Sequence, residues 1–411
     1  MTTTINNEHK KLNVPNLRFP EFEDEWRKYK VSDLLEFFST NSLSWDKLEY
    51  DTDNMQNLHY GLIHVGLPTM VDLKNDKLPN IPTTNQPKNY TLCKEGDVAF
   101  ADASEDTNEV AKAIEFYNLD GKDVVCGLHT IHGRDKCGIT IPGYKGYAFS
   151  SIQFHNQIRR IAQGTKIYSI NSKNFSECYI GVPSKEEQAK IAKLLYLIDK
   201  RIATQNKIIE DLKKLKCAII EIEYSHKTRS VSHLGDFIEQ TSKRNKGNTI
   251  QKVLSVSNRQ GFIQQSEQFE NRTIASDDTS NYKIVERNCF AYNPARINVG
   301  SIARLTAFEK GIVSPMYICF RTKDDLFPEY LDYYFESKQF FTEIQKRLEG
   351  SVRQCLSFEG LCNISLYIPS VEIQQRIGKQ LSTLAQEIRL ESDFLDLLQK
   401  QKQYLLRHMF I

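Results

Sequence analysis

The chain has 411 residues, of which 40% are hydrophobic and 10% aromatic, and its formal net charge is +2. This length and composition predict a globular protein of about two domains, and no apolar run approaches the roughly 20 residues of a membrane span. The small net charge neither requires nor excludes nucleic acid, because a binding surface can be basic locally.

The nine cysteines are scattered along the chain, and none forms a Cys-x-x-Cys pair. Their number is odd, and the N-terminus has no pattern of a signal peptide. Such cysteine usage is typical of a reducing compartment. The expected location is therefore the cytoplasm.

Residues 1–25 are predicted to form an N-terminal arm that begins with a polar segment. Its later part, Leu17-Arg18-Phe19-Pro20-Glu21-Phe22, is too rich in proline for a helix and too aromatic for a free tail. We interpret it as an extended segment that packs on the folded body.

Residues 26–183 are predicted to form the first globular domain, of mixed α and β structure. Short apolar runs between Pro, Gly and Asn residues indicate strands at 62–65, 97–101, 124–126 and 139–141. From Gly146 to Arg160 the apolar spacing changes to that of a helix.

Residues 184–229 are predicted to form one long helix, beginning with a capping box between Ser184 and Glu187. Its apolar residues follow the seven-residue repeat of a coiled coil. The predicted seam consists of Ile191, Leu195, Ile198, Ile202, Ile209, Leu212 and Ile219.

The second half of the chain repeats the first at a constant offset, the interval from Pro183 to Pro369. Ser370, Glu372 and Gln374 follow Pro369 in the same pattern that begins the first long helix. We therefore predict a second similar domain at 230–369 and a second long helix at 370–411. Its predicted seam consists of Ile377, Leu381, Leu384, Ile388, Leu395, Leu398 and Leu405.

Two helices with one seam each can bury it most simply by packing against each other in antiparallel fashion. The predicted fold class is therefore α+β, with two similar mixed α/β domains separated by an antiparallel two-helix coiled coil. A pseudo-two-fold internal repeat relates the two halves. Such a protein would hold two related binding domains at a fixed distance.

No catalytic centre is recognisable in the sequence. Phosphate-binding and dinucleotide-binding glycine motifs are absent. Asn293-Pro294-Ala295-Arg296 lacks the second proline and the aromatic residue of the Asn-Pro-Pro-aromatic loop of amino-methyltransferases. His129 and His132, near Cys126 and Cys137, match no established zinc spacing, so we interpret these histidines as polar loop residues. We predict no catalytic residue and no metal ligand.

Nucleic-acid binding is better supported, because cationic and amide side chains occur in the predicted turns of both domains. Lys and Arg neutralise phosphates, and Arg, Asn and Gln can form paired hydrogen bonds with a base edge. The candidate DNA-binding residues are Lys88, His129, Arg134, Lys136, Lys166, Asn258, Arg259, Gln260, Asn293, Arg296, Arg353 and Gln354.

The chain resembles the specificity subunit of type I restriction-modification enzymes over essentially its whole length. The arm, the paired Pro-Ser-x-Glu-x-Gln helix starts and the order of domains and helices carry the resemblance, together with Lys94-Glu95-Gly96-Asp97-Val98 and Gly311-Ile312-Val313-Ser314-Pro315. Lys94-Glu95-Gly96-Asp97 is repeated only loosely by Glu286-Arg287-Asn288-Cys289.

The resemblance implies that each domain reads one half of a bipartite target in double-stranded DNA and that the coiled coil sets the spacing. It also implies two methyltransferase subunits docked on the coiled coil and motor-nuclease subunits beside them. S-adenosylmethionine, ATP and Mg²⁺ would then be bound by those partners, with no cofactor on this chain.

Two alternatives remain open at this point. One is an enzyme in its own right, a stand-alone DNA methyltransferase or nuclease, which the missing cofactor loop disfavours. The other is a coiled-coil scaffold that never binds DNA.

Overall fold

The computed structural model describes residues 13–225, 232–258, 260–265, 278–350 and 354–411. The chain divides into two compact units. The first comprises Met1–Asn206 with Phe394–Ile411, and the second comprises Lys207–Asp393. Each unit is a mixed α/β structure that contains part of each of the two longest helices.

The first unit begins with strand-rich structure and ends in a long helix. Its elements are β1 Arg27–Lys30, α1 Val31–Leu34, β2 Leu35–Phe38, β3 Gln56–Leu58, α2 Tyr60–His64, β4 Met70–Asp72, β5 Val98–Ala101, β6 Ala103–Ser104, β7 Ala113–Asn118, β8 Val124–Cys126, β9 Thr130–Asp135, α3 Tyr144–Phe149, α4 Ile152–Ile161, β10 Tyr168–Ser169, α5 Ser172–Ser176, β11 Tyr179–Val182 and the first part of α6 Lys185–Glu223.

The first unit is built on a five-stranded sheet in the order β2-β9-β5-β7-β4. The neighbours pair antiparallel except β4 and β7, which run parallel. Phe100 on β5 meets the rings of Phe149 and Phe175 at 4.8 Å. The main core therefore lies between this sheet and the short helices α3, α4 and α5, where edge-to-face ring contacts are favourable.

The same core of the first unit includes residues from both long helices. Ile191 and Leu195 of α6 share it with Leu405, which lies near the end of the C-terminal helix. Asp199 forms a 2.6 Å ion pair with Lys402. Residues early in one helix thus meet residues late in the other, which is antiparallel packing.

The second unit has the same succession of strands, short helices and a long helix. Its elements after α6 are β12 Ser232–His233, β13 Ile238–Thr241, β14 Leu254–Ser257, β15 Gly261–Gln264, β16 Lys283–Glu286, β17 Phe290–Tyr292, β18 Ile302–Arg304, β19 Lys310–Val313, β20 Ile318–Thr322, α7 Pro328–Tyr334, α8 Lys338–Gln345, α9 Phe358–Cys362, β21 Ser365–Leu366 and α10 Val371–His408.

The second unit has an antiparallel four-stranded sheet in the order β13-β20-β17-β18. Phe290 and Phe320 stack on it with ring centroids 5.1 Å apart. Tyr224, the residue after α6, shares this core with Ile220 of α6 and with Ile377 and Leu381 of α10. The long helices therefore pack together in this unit as well.

The repeat of the sequence is also a repeat of hydrogen bonds. In the first unit the Tyr144 hydroxyl donates to the Gly181 carbonyl at 2.7 Å, and in the second the Tyr330 hydroxyl donates to the Tyr367 carbonyl at 3.0 Å. The two donors, like the two acceptors, are separated by the same interval as the prolines that precede the long helices. The internal duplication predicted from the helix starts therefore extends through both globular parts.

All fourteen predicted seam positions are buried or half-buried. Among the described residues, no helix combines the length and apolar character needed to cross a bilayer.

Two predicted strands of the first domain have other structures. Residues 62–65 fall largely in α2, which the His59 side chain caps by accepting from the Gly61 amide at 3.2 Å. Residues 139–141 form a loop, because a glutamine side chain from α6 takes up their polar groups. An apolar run of three or four residues is too short for its period to distinguish strand from helix or loop.

The capping box predicted at the start of α6 forms only in part. The Ser184 hydroxyl accepts from the Glu187 amide at 3.3 Å. The Glu187 carboxylate instead accepts from Arg18 Nε at 2.7 Å and Nη2 at 2.8 Å, and also from the indole of Trp26. A paired guanidinium–carboxylate contact is stronger than a hydrogen bond to one amide, so Glu187 fastens the arm to the helix.

Candidate nucleic-acid interface

In the second unit, two predicted residues lie at the tip of a hairpin. β14 and β15 pair antiparallel from Leu254 to Gln264, with Ser257 opposite Gly261. Asn258 and Gln260, in the connection, are both exposed. A tight hairpin fixes its tip residues because the register of the strands leaves them no other position.

A second loop lies against this hairpin. It follows β17, and the Ala295 amide donates to Asn293 Oδ1 at 3.1 Å, which closes a turn. A Cβ placed on Gly300 would lie 3.5 Å from Asn258 Cβ. The loop from Asn293 to Gly300 and the hairpin tip are therefore neighbours, and Arg296, within that loop, is exposed.

A third segment joins the same group. The Leu356 amide donates to the Pro294 carbonyl at 3.1 Å, and the Tyr292 hydroxyl donates to the Leu356 carbonyl at 3.2 Å. Gln354, just before Leu356, is exposed. Segments that are far apart in the sequence are thus brought together around one loop. We call Asn258, Gln260, Asn293, Arg296 and Gln354 the loop cluster.

The loop cluster borders a cleft of about 330 Å³. Asn293, Arg296, Met316 and Tyr317 are among the residues that line it. Within the described part of the chain, the Arg296 guanidinium has no hydrogen bond or ion pair. An exposed guanidinium without an intramolecular partner is available to bind a phosphate or a base edge. Arg259 and Arg353, also predicted, lie outside the described residues.

In the first unit, His129 and the turn that contains Lys166 are linked through Asp102. His129 is exposed, and its Nδ1 lies 3.2 Å from Asp102 Oδ1. The Asp102 carbonyl accepts from the Ile170 amide at 3.0 Å, just after β10 and the exposed residues 163–167 that precede it. The structure therefore places His129 and Lys166 at the same end of the sheet.

Three aromatic rings beside His129 were not predicted from the sequence, and one of them, that of Trp45, is exposed. The ring centroids of Trp45 and His59 lie 4.3 Å apart, those of His59 and Tyr60 4.7 Å, and those of Tyr60 and His129 5.3 Å. Burial, and secondarily the neighbouring His129, lowers the pKa of His59. Trp45 is 44% exposed, an unusual position for tryptophan. One of only two tryptophans in the chain was the signal available in the sequence.

Lys88 lies on an exposed loop of the first unit. The preceding Asn85 side chain donates to the Lys47 carbonyl at 3.3 Å, which ties this loop to the turn that carries Trp45. Lys88 itself has no intramolecular partner among the described residues.

Arg134 and Lys136 lie at the opposite end of β9 from His129. Arg134 donates to both oxygens of Asp97 at 2.7 Å. Lys136 donates to the Ser32 carbonyl at 2.6 Å. The structure therefore divides the predicted residues of the first unit into two groups about 20 Å apart along a strand, and it gives Arg134 an intramolecular partner.

The sequence model of one protein family, the type I restriction modification DNA specificity domain, matches residues 139–214 and 228–400, more than half of the chain. The chain belongs to this family. No curated protein matches the sequence.

Solved structures support the specificity-domain fold over nearly the whole chain. The chain is similar to the S subunit of a type I restriction-modification system from M. genitalium, at 15% identity and a TM-score of 0.60, over 97% of this chain and 99% of that one. A chain from a structure of a type I R-M system, described for complex assembly and conformational transition, also matches at 15% identity and a TM-score of 0.54. That match covers 93% of this chain and 96% of the other.

In this specificity-domain protein, Lys94-Glu95-Gly96-Asp97 forms a turn. The corresponding segment of the second unit, Glu286-Arg287-Asn288-Cys289, forms a turn as well. Gly96 has a φ of +86°, and Asn288 in the second unit has a φ of +66°. Asparagine tolerates this left-handed conformation better than most residues. The turn thus survives in both units, but Cys289 replaces the carboxylate of Asp97.

Asp97 is the centre of a buried polar group in the first specificity domain. Its carboxylate accepts from Arg134 and lies 2.7 Å from His132 Nε2. Burial raises the pKa of Asp97, but hydrogen bonds from Arg134, His132 and the Lys94 amide outweigh it, so the pKa lies below its usual value. His132 is fully buried on β9. The interpretation of His132 as a loop residue was therefore wrong.

Proposed function

We propose that this chain is the DNA-specificity subunit of a type I restriction-modification complex and that each unit reads one half of a bipartite target. The loop cluster carries the proposal. It gathers four amide side chains and one arginine, which has no side-chain partner among the described residues, around a single loop of the second unit. Arginine can bind both acceptors of guanine, and asparagine or glutamine can bind adenine in the same way.

In the first unit, the corresponding interface is the group around His129. Lys166 and Lys88 supply positive charge, and Trp45 and Tyr60 supply aromatic faces. Cations bind phosphates and position the protein, whereas aromatic rings contact bases and sugars. Arg134 and Lys136 already bond within the unit, so we assign them a smaller share of DNA binding.

The gap between the two half-sites is proposed to depend on the lengths of α6 and α10. An α-helix rises about 5.4 Å per turn, and duplex DNA rises about 3.4 Å per base pair. Deleting two turns from both helices should shorten the preferred gap by about three base pairs. An unchanged gap would remove the helices from the role of spacer while leaving the two reading units intact.

Methyltransferase subunits are proposed to dock on the outer apolar residues of the long helices. In the second unit, Ile208, Leu215 and Ile222 of α6 are exposed at seven-residue spacing. In the first, Leu397 and Tyr404 of α10 are exposed at the same spacing. A seven-residue repeat aligns side chains along one helical face, the pattern that a partner helix requires.

Two methyltransferase subunits and additional motor-nuclease subunits would complete the complex in the cytoplasm. They would bind S-adenosylmethionine, ATP and Mg²⁺, and this chain would contribute sequence recognition and no catalytic residue.

The test is sequencing of methylated sites in a host with and without this chain, beside its methyltransferase subunit. A bipartite motif should appear only when both are present. Exchange of residues 231–369 for the corresponding domain of another specificity subunit should change one half of the motif, and exchange of 26–183 the other. An unchanged motif after both exchanges would contradict the proposal, and methyl transfer by the purified chain alone would establish a stand-alone enzyme instead.

A further inference from the structure

Two cysteines and a histidine from three separate segments converge inside the first unit. Cys93 precedes β5, Cys126 ends β8, and His132 is the third residue of β9. One ring nitrogen of the histidine and the two sulfurs lie within 4.8 Å of one another, and the two sulfurs are 3.6 Å apart. All three residues are buried, with exposures of 5%, 2% and 0%.

Only one of the two ring nitrogens of His132 has a hydrogen-bond partner among the described residues. Its Nε2 lies 2.7 Å from the carboxylate of Asp97, which can only accept a hydrogen bond when ionised. In the neutral imidazole, the tautomer that donates from Nε2 to Asp97 leaves a lone pair on Nδ1. Among the described residues, this buried Nδ1 has no hydrogen-bond partner. Leaving such an atom unsatisfied costs about 1–3 kcal/mol, a cost that a metal ion bound to Nδ1 would remove.

We propose that Cys93, Cys126 and His132 bind a Zn²⁺ ion. Two thiolates and a neutral imidazole are a common zinc ligand set, with Zn–S distances of about 2.3 Å. Tetrahedral geometry at that distance separates two sulfurs by about 3.8 Å, close to the 3.6 Å between Cys93 and Cys126. The fourth position falls to a non-protein ligand such as water, because among the described residues no other Cys, His, Asp or Glu atom belongs to the group.

The residues around this group have the arrangement expected beside a metal. A histidine ligand usually donates its second ring N–H to a carboxylate, which fixes its orientation. Asp97 takes that position beside His132, and Arg134 in turn holds Asp97 through two hydrogen bonds at 2.7 Å. The carboxylate and guanidinium charges cancel each other, so Asp97 adds no net charge to the site.

Charge balance also favours a divalent ion. When Zn²⁺ binds, the Cys93 and Cys126 thiols each lose a proton to solvent, and the two thiolate charges neutralise the ion. The group adjoins an apolar cluster that includes Leu58, Ile63 and Phe116. An apolar surrounding tolerates a neutral complex but penalises an isolated charge. The site would thereby tie three segments of the first unit together.

Metal analysis of the full chain, copurified with its partner subunits, tests this assignment. One zinc ion per chain is expected, and it should be lost in Cys93→Ser and in His132→Ala. Cys178→Ser is the matched control, because Cys178 is also a buried cysteine of the first unit but lies outside the group. That variant should retain the ion.

A second measurement begins with the unmodified chain, so its result does not depend on how Cys93→Ser and His132→Ala fold. After removal of bound metal, Co²⁺ added to the unmodified chain should produce a thiolate-to-cobalt charge-transfer absorption. Asp97→Asn should weaken Zn²⁺ binding by about 10- to 100-fold while keeping all three ligands. Unmodified chain with no zinc and no cobalt absorption would overturn the proposal, as would a Cys93–Cys126 disulfide found by peptide mass mapping without reduction.

Discussion

Gln188 and Gln374, at equivalent places near the starts of the two long helices, make the same three hydrogen bonds in the two units. Gln188 accepts from the Ile141 amide at 3.0 Å and donates to the Ile139 carbonyl at 3.0 Å and the Pro183 carbonyl at 2.9 Å. Gln374 accepts from the Phe327 amide at 2.7 Å and donates to the carbonyls of Asp325 and Pro369, both at 2.9 Å. Each glutamine is completely buried. Each glutamine thus holds a loop of its globular part against the start of the long helix.

Replacing one of these glutamines should lower the local stability of the loop that it contacts. In Gln374→Ala, the Phe327 amide and two carbonyls lose their partners, at a cost of about 2–4 kcal/mol in local stability. Hydrogen exchange of the Phe327 amide should accelerate accordingly. Gln375→Ala is the matched control because Gln375 is exposed, and equal exchange in both variants would contradict the assignment.

The first unit contains a buried ion pair. Removing one of its partners should lower the free energy of unfolding far more than removing both. Lys145 Nζ lies 3.1 Å from Glu115 Oε1, and their side chains are 2% and 0% exposed. Lys145→Met leaves the carboxylate buried without its cation, and we expect a loss of about 3–5 kcal/mol in the free energy of unfolding. Adding Glu115→Gln should recover part of that loss in chemical denaturation, because it removes the charge.

The same pair gives a pH test of the single variant. Burial raises the pKa of Glu115, and Lys145 lowers it only in part. The folded state therefore binds the proton more tightly than the unfolded chain, so protonation favours folding. The stability of Lys145→Met should rise as the pH falls from neutral towards the unfolded pKa of about 4.3, relative to the parent chain. If the loss of stability in Lys145→Met relative to the parent chain did not depend on pH, the buried Glu115 carboxylate would not be its cause.

Asp135 should contribute stability with the opposite dependence on pH. Its carboxylate accepts from the Cys137, Gly138 and Thr140 amides at 2.8 to 2.9 Å. Burial raises its pKa, but these hydrogen bonds and that from the Thr140 hydroxyl outweigh it, so the pKa lies below its usual value. The contribution is present above the unfolded pKa of about 3.9 and is lost as the pH falls through the folded pKa.

Asp135→Asn should accordingly cost about 1 kcal/mol at neutral pH, and less in acid. Urea unfolding followed from pH 7 downward measures the difference between variant and parent. A difference that grows in acid would contradict the assigned hydrogen bonds.

Arg296 should be the most sensitive position of the loop cluster. Arg296→Ala is expected to cost about 1–3 kcal/mol in binding of the target duplex by the assembled complex and to relax one base position in one half-site. Competition binding with single-base variants of the target measures both effects. Arg287→Ala is the control, because Arg287 already pairs with Glu309. If Arg296→Ala weakens binding to all sequences equally, the residue contacts a phosphate instead.

Ile208, Leu215 and Ile222 form an exposed apolar stripe on α6. We expect this stripe to be needed for assembly and not for folding. Leu215→Glu places a charge where we propose an apolar partner surface, and copurification with the methyltransferase subunit should fall sharply. Lys213→Glu changes an exposed residue of the same helix outside the stripe and should leave assembly intact. Retained assembly in Leu215→Glu, with the circular dichroism spectrum unchanged, would remove this face from the interface.

The sequence alone determined the duplication and the two long helices. Both are periodic features, a constant offset between the two halves and a seven-residue apolar repeat, and a period is a local property that can be read along the chain. The coil seam from Ile191 to Leu405 required no knowledge of the rest of the fold. The short strands were harder to predict, because an apolar run of three or four residues, such as 62–65, is too short to show a period.

Only the tertiary structure decided which side chains meet. Asn258 lies beside Gly300, and Cys93 beside Cys126 and His132, because strand pairing and loop packing bring distant segments together. The sequence could propose Arg134 for DNA binding but not reveal that Asp97 already holds it. Side-chain partners are set by long-range packing, and no local pattern encodes that packing in a single sequence.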